Sequence, residues 1–98
     1  MKGKKFVIIG AAKSSISVAN LVLELGEQPR ITDNKPLEEI EAGLKGLVNR
    51  SKIVIERDVH TKDFVLDSDL VAVSPGVRRD AKPIQWAREK DIPVLGDL

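Results

Sequence analysis

Phe6-Val7-Ile8-Ile9-Gly10-Ala11-Ala12-Lys13-Ser14-Ser15-Ile16 is the stretch on which the reading of this chain turns. Four apolar residues stop at a glycine, small residues follow, and a helical pattern begins. A strand, a tight turn and a helix N-terminus in that order present backbone N–H groups to a phosphate. The first helical N–H groups have no intrahelical partner, and the helix dipole is positive there. Gly10 allows the turn, Ala11 and Ala12 keep the approach open, and Ser14 or Ser15 is placed to cap the helix. Lys13 adds a positive charge beside it. The dinucleotide fingerprint has glycine at its second and third positions, where this chain has Ala12 and Ser15. The loop alone therefore also fits an ordinary strand-to-helix turn.

Outward from this stretch, short apolar runs alternate with helical patterns. The first strand is 6–9, and a broadly apolar helix from Ile16 to Leu25 ends at Gly26 as C-cap. So much apolar circumference implies packing between the sheet and something else. A second strand, 30–33, ends in Asp33. Pro36 and two glutamates then open an amphipathic helix with Leu37, Ile40, Leu44 and Leu47 on one face, its last turns weakened by Gly43 and Gly46. The third strand is 52–56, and 61–66 holds a short helix with Thr61 as cap. The fourth strand, 70–73, stops at Ser74-Pro75-Gly76. Asp80 caps a last helix running to Lys90, with Ile84, Ala87 and Arg88 on a shared face. The fifth strand is 92–95.

Five strands joined by crossovers predict an α/β, three-layer Rossmann-like domain: a five-stranded parallel sheet of order 3-2-1-4-5 with helices on both faces. Pro93 cannot donate to a ladder, which places the fifth strand at an edge. Ligands in such a sheet bind beyond the carboxyl ends of the strands at the switch point, here strands 1 and 4. Three polar loops converge there: Gly10–Ser15, Asp33–Lys35 and Ser74–Gly76.

Composition narrows the function. A chain of 98 residues makes one small domain, and 42% hydrophobic with 32% charged residues suits a folded soluble protein. The net charge of +1 and three aromatics (Phe6, Phe64, Trp86) offer neither a continuous positive face nor stacking platforms, so nucleic acid is not an expected partner. With no cysteine and one histidine, thiolate and His-rich metal centres are excluded, and no metal ligand is expected. No apolar run approaches the ~20 residues needed to cross a bilayer, and the N-terminus has no signal core. No membrane partner is expected, and the cytoplasm is the simplest location.

Asp33 follows Gly10 by about twenty residues, where dinucleotide-binding domains place a ribose acid. It would accept hydrogen bonds from ribose hydroxyls or from a uracil N–H; its other reading is a local turn capping the helix near Pro36. Ser74-Pro75-Gly76 is a restricted turn whose glycine can offer its N–H to a ligand. Lys13 reads as a phosphate contact or as a solvated amine. His60 reads as structural or exposed, Trp86 as surface packing, and Arg78 with Arg79 as a solvated loop near the ligand side. There is no G-x-x-x-x-G-K-[ST] segment and no nucleophile paired with a base, so no catalytic residue is assigned.

The run Val7–Ser15 resembles the opening of the Mur ligases, in which G-x-G-x-[ST]-G or G-x-A-K-S-G follows the first strand. Asp33-Asn34-Lys35-Pro36, Val73-Ser74-Pro75-Gly76-Val77 and Ile92-Pro93-Val94-Leu95-Gly96-Asp97-Leu98 are similar to that family in the same order and spacing. The likeness covers essentially the whole chain and is nearest to the branch that adds D-glutamate. It implies a single N-terminal domain, residues 1–98, excised from a longer multidomain ligase of peptidoglycan biosynthesis; the stop just after Asp97 suggests continuation. It implies that the domain holds the UDP part of UDP-N-acetylmuramoyl-L-alanine. Lys13, Ser14 and Ser15 would meet the diphosphate, Asp33 the uracil with Asn34 and Lys35 flanking it, and Gly76 the nucleotide from the opposite loop. ATP and magnesium would act in the missing central and C-terminal domains, so the 98 residues alone would not ligate. Ser15 departs from the family glycine and would press the helix off the strand unless its neighbours are small. Two other readings stand beside this one: a stand-alone NAD(P)-binding or nucleotide-sensing domain, and a fold-only piece with negligible affinity.

Overall fold

A computed structural model describes residues 3–96; Met1 and Lys2 at one end, and the Asp97-Leu98 end of the last matching segment, lie outside the described residues. The chain runs β1 (Lys5–Ile9), α1 (Lys13–Glu24), β2 (Gln28–Thr32), α2 (Leu37–Leu44), a 3-10 turn (Arg50–Lys52), β3 (Val54–Glu56), α3 (Lys62–Leu66), β4 (Leu70–Val73), α4 (Lys82–Glu89) and β5 (Val94–Gly96). All strand pairs are parallel in the order β3-β2-β1-β4-β5, as the crossover pattern predicts.

Alternation along β1 explains the layers. Successive strand residues point to opposite faces. Ile8 packs with Ile16 and Ala19 of α1, Ile40 and Leu44 of α2, and Ile31 and Ile53. Val7 and Ile9 point the other way and pack with Val65 of α3, Val71, and Ile84 and Ala87 of α4. β1 is therefore buried on both sides, which is why its sequence is a continuous apolar run and not an alternating one. Each fully buried aliphatic side chain there contributes about 1.5–3 kcal/mol of transfer free energy. On β2, Arg30 points to the α3 side, where its guanidinium lies 4.0 Å from the Phe64 ring centroid and donates to the Phe64 carbonyl at 2.9 Å.

Several boundaries move from their sequence positions. α1 begins at Lys13 with Ala12 as N-cap, so Ser14 and Ser15 sit inside its first turn and cap nothing. Its C-terminal end is closed by Gly26 N–H to the Leu23 carbonyl at 3.0 Å and Glu27 N–H to the Val22 carbonyl at 3.1 Å, the paired bonds of a Schellman motif. Thr61 precedes α3 but makes no side-chain cap bond; its hydroxyl goes to Glu56. Asp80 does not cap α4 either. Ala81 occupies that place, while the Asp80 carboxylate pairs with Arg78 at 3.2 Å. α4 buries Pro83, Ile84 and Ala87, and Arg88 is exposed, which keeps its charge solvated. β5 starts at Val94, and Pro93 instead accepts the Val71 N–H through its carbonyl at 2.9 Å, a role proline can fill at an edge. α1 exposes Val18 and Leu21, with Leu25 exposed at its C-cap, while its buried face packs on the sheet and against α2.

Candidate functional site

At the carboxyl ends of β1, β2 and β4 lies a crevice of about 580 Å³. Its walls come from Gly10–Ala12 after β1, Asp33–Lys35 after β2, and Ser74 and Gly76–Arg78 after β4; Gly43 of α2, His60, and Lys82 with Pro83 at the start of α4 complete it. The switch point of the sheet and the crevice coincide, as the fold requires.

The loop after β1 is held in shape by its neighbours. Gly10 has φ +92°, and a Cβ there would stand 3.0 Å from Ser74 Oγ and 3.2 Å from Val77 Cγ2. Only glycine both adopts that backbone and allows that approach. From the other side, a Cβ on Gly43 would stand 3.1 Å from the Ala11 carbonyl oxygen, so this glycine, inside the last turn of α2, lets the helix close on the loop. Asp33 is buried, and its carboxylate receives two backbone donors: Ala11 N–H on Oδ2 at 2.8 Å and Lys35 N–H on Oδ1 at 2.9 Å. The second bond is the local turn that sequence allows for an aspartate before a helix; the first ties the β2 end to the β1 loop across the sheet.

Ser15 turns inward. Its hydroxyl is buried and hydrogen-bonds that of Ser74, while Ser74 Oγ donates to the Gly10 carbonyl at 3.1 Å. A hydroxyl has one proton, so Ser15 donates to Ser74 and Ser74 to Gly10. A serine in place of glycine is accommodated because its hydroxyl has an acceptor on the β4 loop, and the helix stays on the strand.

His60 Nδ1 lies 2.9 Å from Thr32 Oγ1, and Thr32 Oγ1 donates to Glu56 Oε1 at 2.6 Å. Glu56 also accepts the Thr61 N–H at 3.0 Å. Burial pushes the His60 pKa below its usual value, against the opposing pull of Asp33 and Glu56.

Of the residues singled out from sequence, Asp33, Asn34, Lys35 and Gly76 line one crevice. Lys13 and Ser14 are exposed on the first turn of α1, with side chains outside the crevice lining; Ser15 reaches it through neither side-chain atom. The backbone N–H groups of all three stand at the free end of α1, where the first intrahelical bond is Ile16 N–H to the Ala12 carbonyl at 3.0 Å. His60 and the start of α4 were missed as wall residues. Nothing in the local pattern around Val59-His60-Thr61 signals that the β3–α3 loop folds back over the end of β2. Arg78, read as a solvated loop, lines the crevice beside Asp80.

The arrangement is suited to holding a ligand rather than to nucleophilic chemistry. Ser74, which lines the crevice, and Ser15 behind it both spend their protons on internal acceptors, and His60 is engaged by Thr32 and not by a serine. Among the described residues no group of three or more His, Asp or Glu could hold a metal ion, and no helix is long and apolar enough to cross a membrane.

The family model described as Mur ligase MurD-like, N-terminal domain, matches residues 4–96. The UDP-N-acetylmuramoylalanine–D-glutamate ligase of Koribacter versatilis is 29% identical over 98 residues, covering 100% of this chain and 21% of that protein. The ligase of the same name from Desulfosudis oleivorans is 33% identical over 100 residues, covering 99% of this chain and 21% of its length. Among solved structures, the UDP-N-acetylmuramate-alanine ligase of Thermotoga maritima superposes with a TM-score of 0.74 at 23% identity, over 95% of this chain and 20% of that one, a likeness of fold. The chain spans about a fifth of the length of the curated relatives it matches.

Proposed function

The chain belongs to the Mur ligase family as a MurD-like N-terminal domain, and on that premise we propose that its crevice holds the UDP part of UDP-N-acetylmuramoyl-L-alanine. The observation that supports this most is Asp33. Its carboxylate lines the crevice while bracing the Ala11 N–H, and a carboxylate with about four acceptor sites has capacity left for a ligand donor such as a uracil N–H.

The other contacts of this reading are assigned to the neighbouring loops. The diphosphate sits at the free end of α1, where the N–H groups of Lys13, Ser14 and Ser15 point out of the helix and the dipole favours an anion. The Lys13 ammonium adds its charge from solvent. Asn34 and Lys35 flank the base, and Gly76 faces the nucleotide from the β4 loop, where a Cβ would meet nothing within 4 Å.

In this reading residues 1–98 act as the substrate-anchoring domain of a longer, cytoplasmic, ATP-dependent ligase that adds D-glutamate during peptidoglycan synthesis. ATP and magnesium do not fit the residues present: the sequence lacks a G-x-x-x-x-G-K-[ST] loop, and the described residues offer no metal cluster. The ligation chemistry is assigned to the portions of the longer relatives that this chain does not match.

Calorimetric titration of the chain with UDP, and separately with NAD, tests the proposal. UDP binds more tightly than NAD, and Asp33→Asn weakens UDP about tenfold, one charge-assisted hydrogen bond. A folded Asp33→Asn variant that binds UDP as well as the parent chain overturns it.

A further inference from the structure

The His60 network belongs to no contact assigned above, yet its hydrogen bonds leave a single proton arrangement. The Thr32 hydroxyl has one proton and gives it to the Glu56 carboxylate, which only accepts. Thr32 Oγ1 can therefore take part in its 2.9 Å contact with His60 Nδ1 only as acceptor, so Nδ1 bears a proton. In a neutral imidazole the other nitrogen is then a bare acceptor. Thr32 is fully buried and Glu56 is held by Thr61, so this tautomer is set by residues that cannot turn away. No buried side-chain nitrogen or oxygen among the described residues lacks a partner, and Nε2 has no hydrogen-bond partner among those residues, so Nε2 is open to solvent in a ring that lines the crevice.

We infer that His60 recognises the nucleoside: its Nε2 accepts a hydrogen bond from a donor of the bound nucleotide, a base N–H or a ribose hydroxyl. With Asp33 in the same lining, the end of β2 and the β3–α3 loop together present two acceptors and select ligands that offer donors there. Thr32 and Glu56 act as positioning residues, holding the imidazole in the accepting tautomer. Low His60 basicity from burial keeps that acceptor unprotonated near neutral pH. This inference rests on the nucleotide reading of the crevice and adds a residue to it.

Long-range proton–nitrogen NMR of the His60 imidazole in the chain provides the test, with UDP, N3-methyl-UDP and 2′,3′-dideoxy-UDP as ligands. In the free chain Nδ1 is the protonated nitrogen and Nε2 the bare one. UDP moves the Nε2 resonance toward the protonated range, and the one analogue that lacks the donor fails to do so. His60→Phe, which keeps an aromatic ring and removes the acceptor, lowers UDP affinity several-fold. A proton on Nε2 in the free chain overturns the inference. So does UDP binding that shifts the Asp33–Lys35 amides and leaves Nε2 unmoved, or an equal Nε2 response to all three ligands; each leaves the UDP reading intact. Absence of any UDP response at the crevice removes both.

Discussion

Asp33 Oδ2 accepts the backbone N–H of Ala11 at 2.8 Å, so the acid at the end of β2 fixes the conformation of the loop that follows β1. One side chain thereby both shapes the helix entrance and lines the crevice in front of it. Asp33→Ala leaves two backbone donors short of their partner and is expected to cost about 2 kcal/mol. Urea unfolding of the variant measures this; a midpoint unchanged from the parent would mean that Asp33 has no structural role.

Ser15 and Ser74 form a directional pair, and direction predicts rank. Ser15→Ala removes one donor and leaves Ser74 bonded to Gly10, at a net cost of ~1 kcal/mol. Ser74→Ala strands the buried Ser15 hydroxyl without an acceptor and costs more, about 1–3 kcal/mol. Thermal unfolding of both variants gives the order; Ser15→Ala proving the more destabilising would reverse the assigned direction.

Two glycines of the crevice separate folding from binding. Gly10→Ala introduces a Cβ at φ +92° against Ser74 and Val77 and is expected to destabilise by about 1–3 kcal/mol. Gly76→Ala meets nothing within 4 Å and should leave stability within about 0.5 kcal/mol, while the added methyl intrudes on the crevice and weakens UDP several-fold. Parallel denaturation and binding measurements check the pair. A Gly76→Ala protein that binds UDP normally would remove the β4 loop from the contact surface.

His60 gives stability a pH dependence of defined sign. Its folded pKa lies below the unfolded value of 6.5, because burial disfavours the charged ring. As pH falls through 6.5 the unfolded chain takes up a proton that the native chain refuses, so the unfolded state binds more protons and stability declines. Above that range the His60 contribution is level. The parent chain should therefore lose more stability between pH 7.5 and pH 5 than His60→Gln does. Equal slopes for the two proteins would contradict the buried, neutral ring.

The sheet was legible because β1 is buried on both faces and its apolar run is uninterrupted; the order 3-2-1-4-5 followed from the crossovers and from Pro93. The convergence of Gly10–Ala12, Asp33–Lys35 and Gly76 was legible for the same reason, since parallel topology places those loops at one end. Side-chain partners were not. Ser14, Ser15, Thr61 and Asp80 all have the chemistry of a helix cap, but Ser15 found a stronger buried partner in Ser74, Thr61 found Glu56, and Asp80 found Arg78. His60 was unreadable because its meaning depends on Thr32, a residue on another strand that the β3–α3 loop folds back to reach.

The most direct test of the central claim is amide NMR of the chain titrated with UDP and, separately, with NAD at the same salt. Shifts confined to Ala11–Ser15, Asp33–Lys35 and Gly76 with UDP, and much weaker with NAD, are the predicted result. A clear preference for NAD at those same amides would contradict it and make the crevice a dinucleotide site.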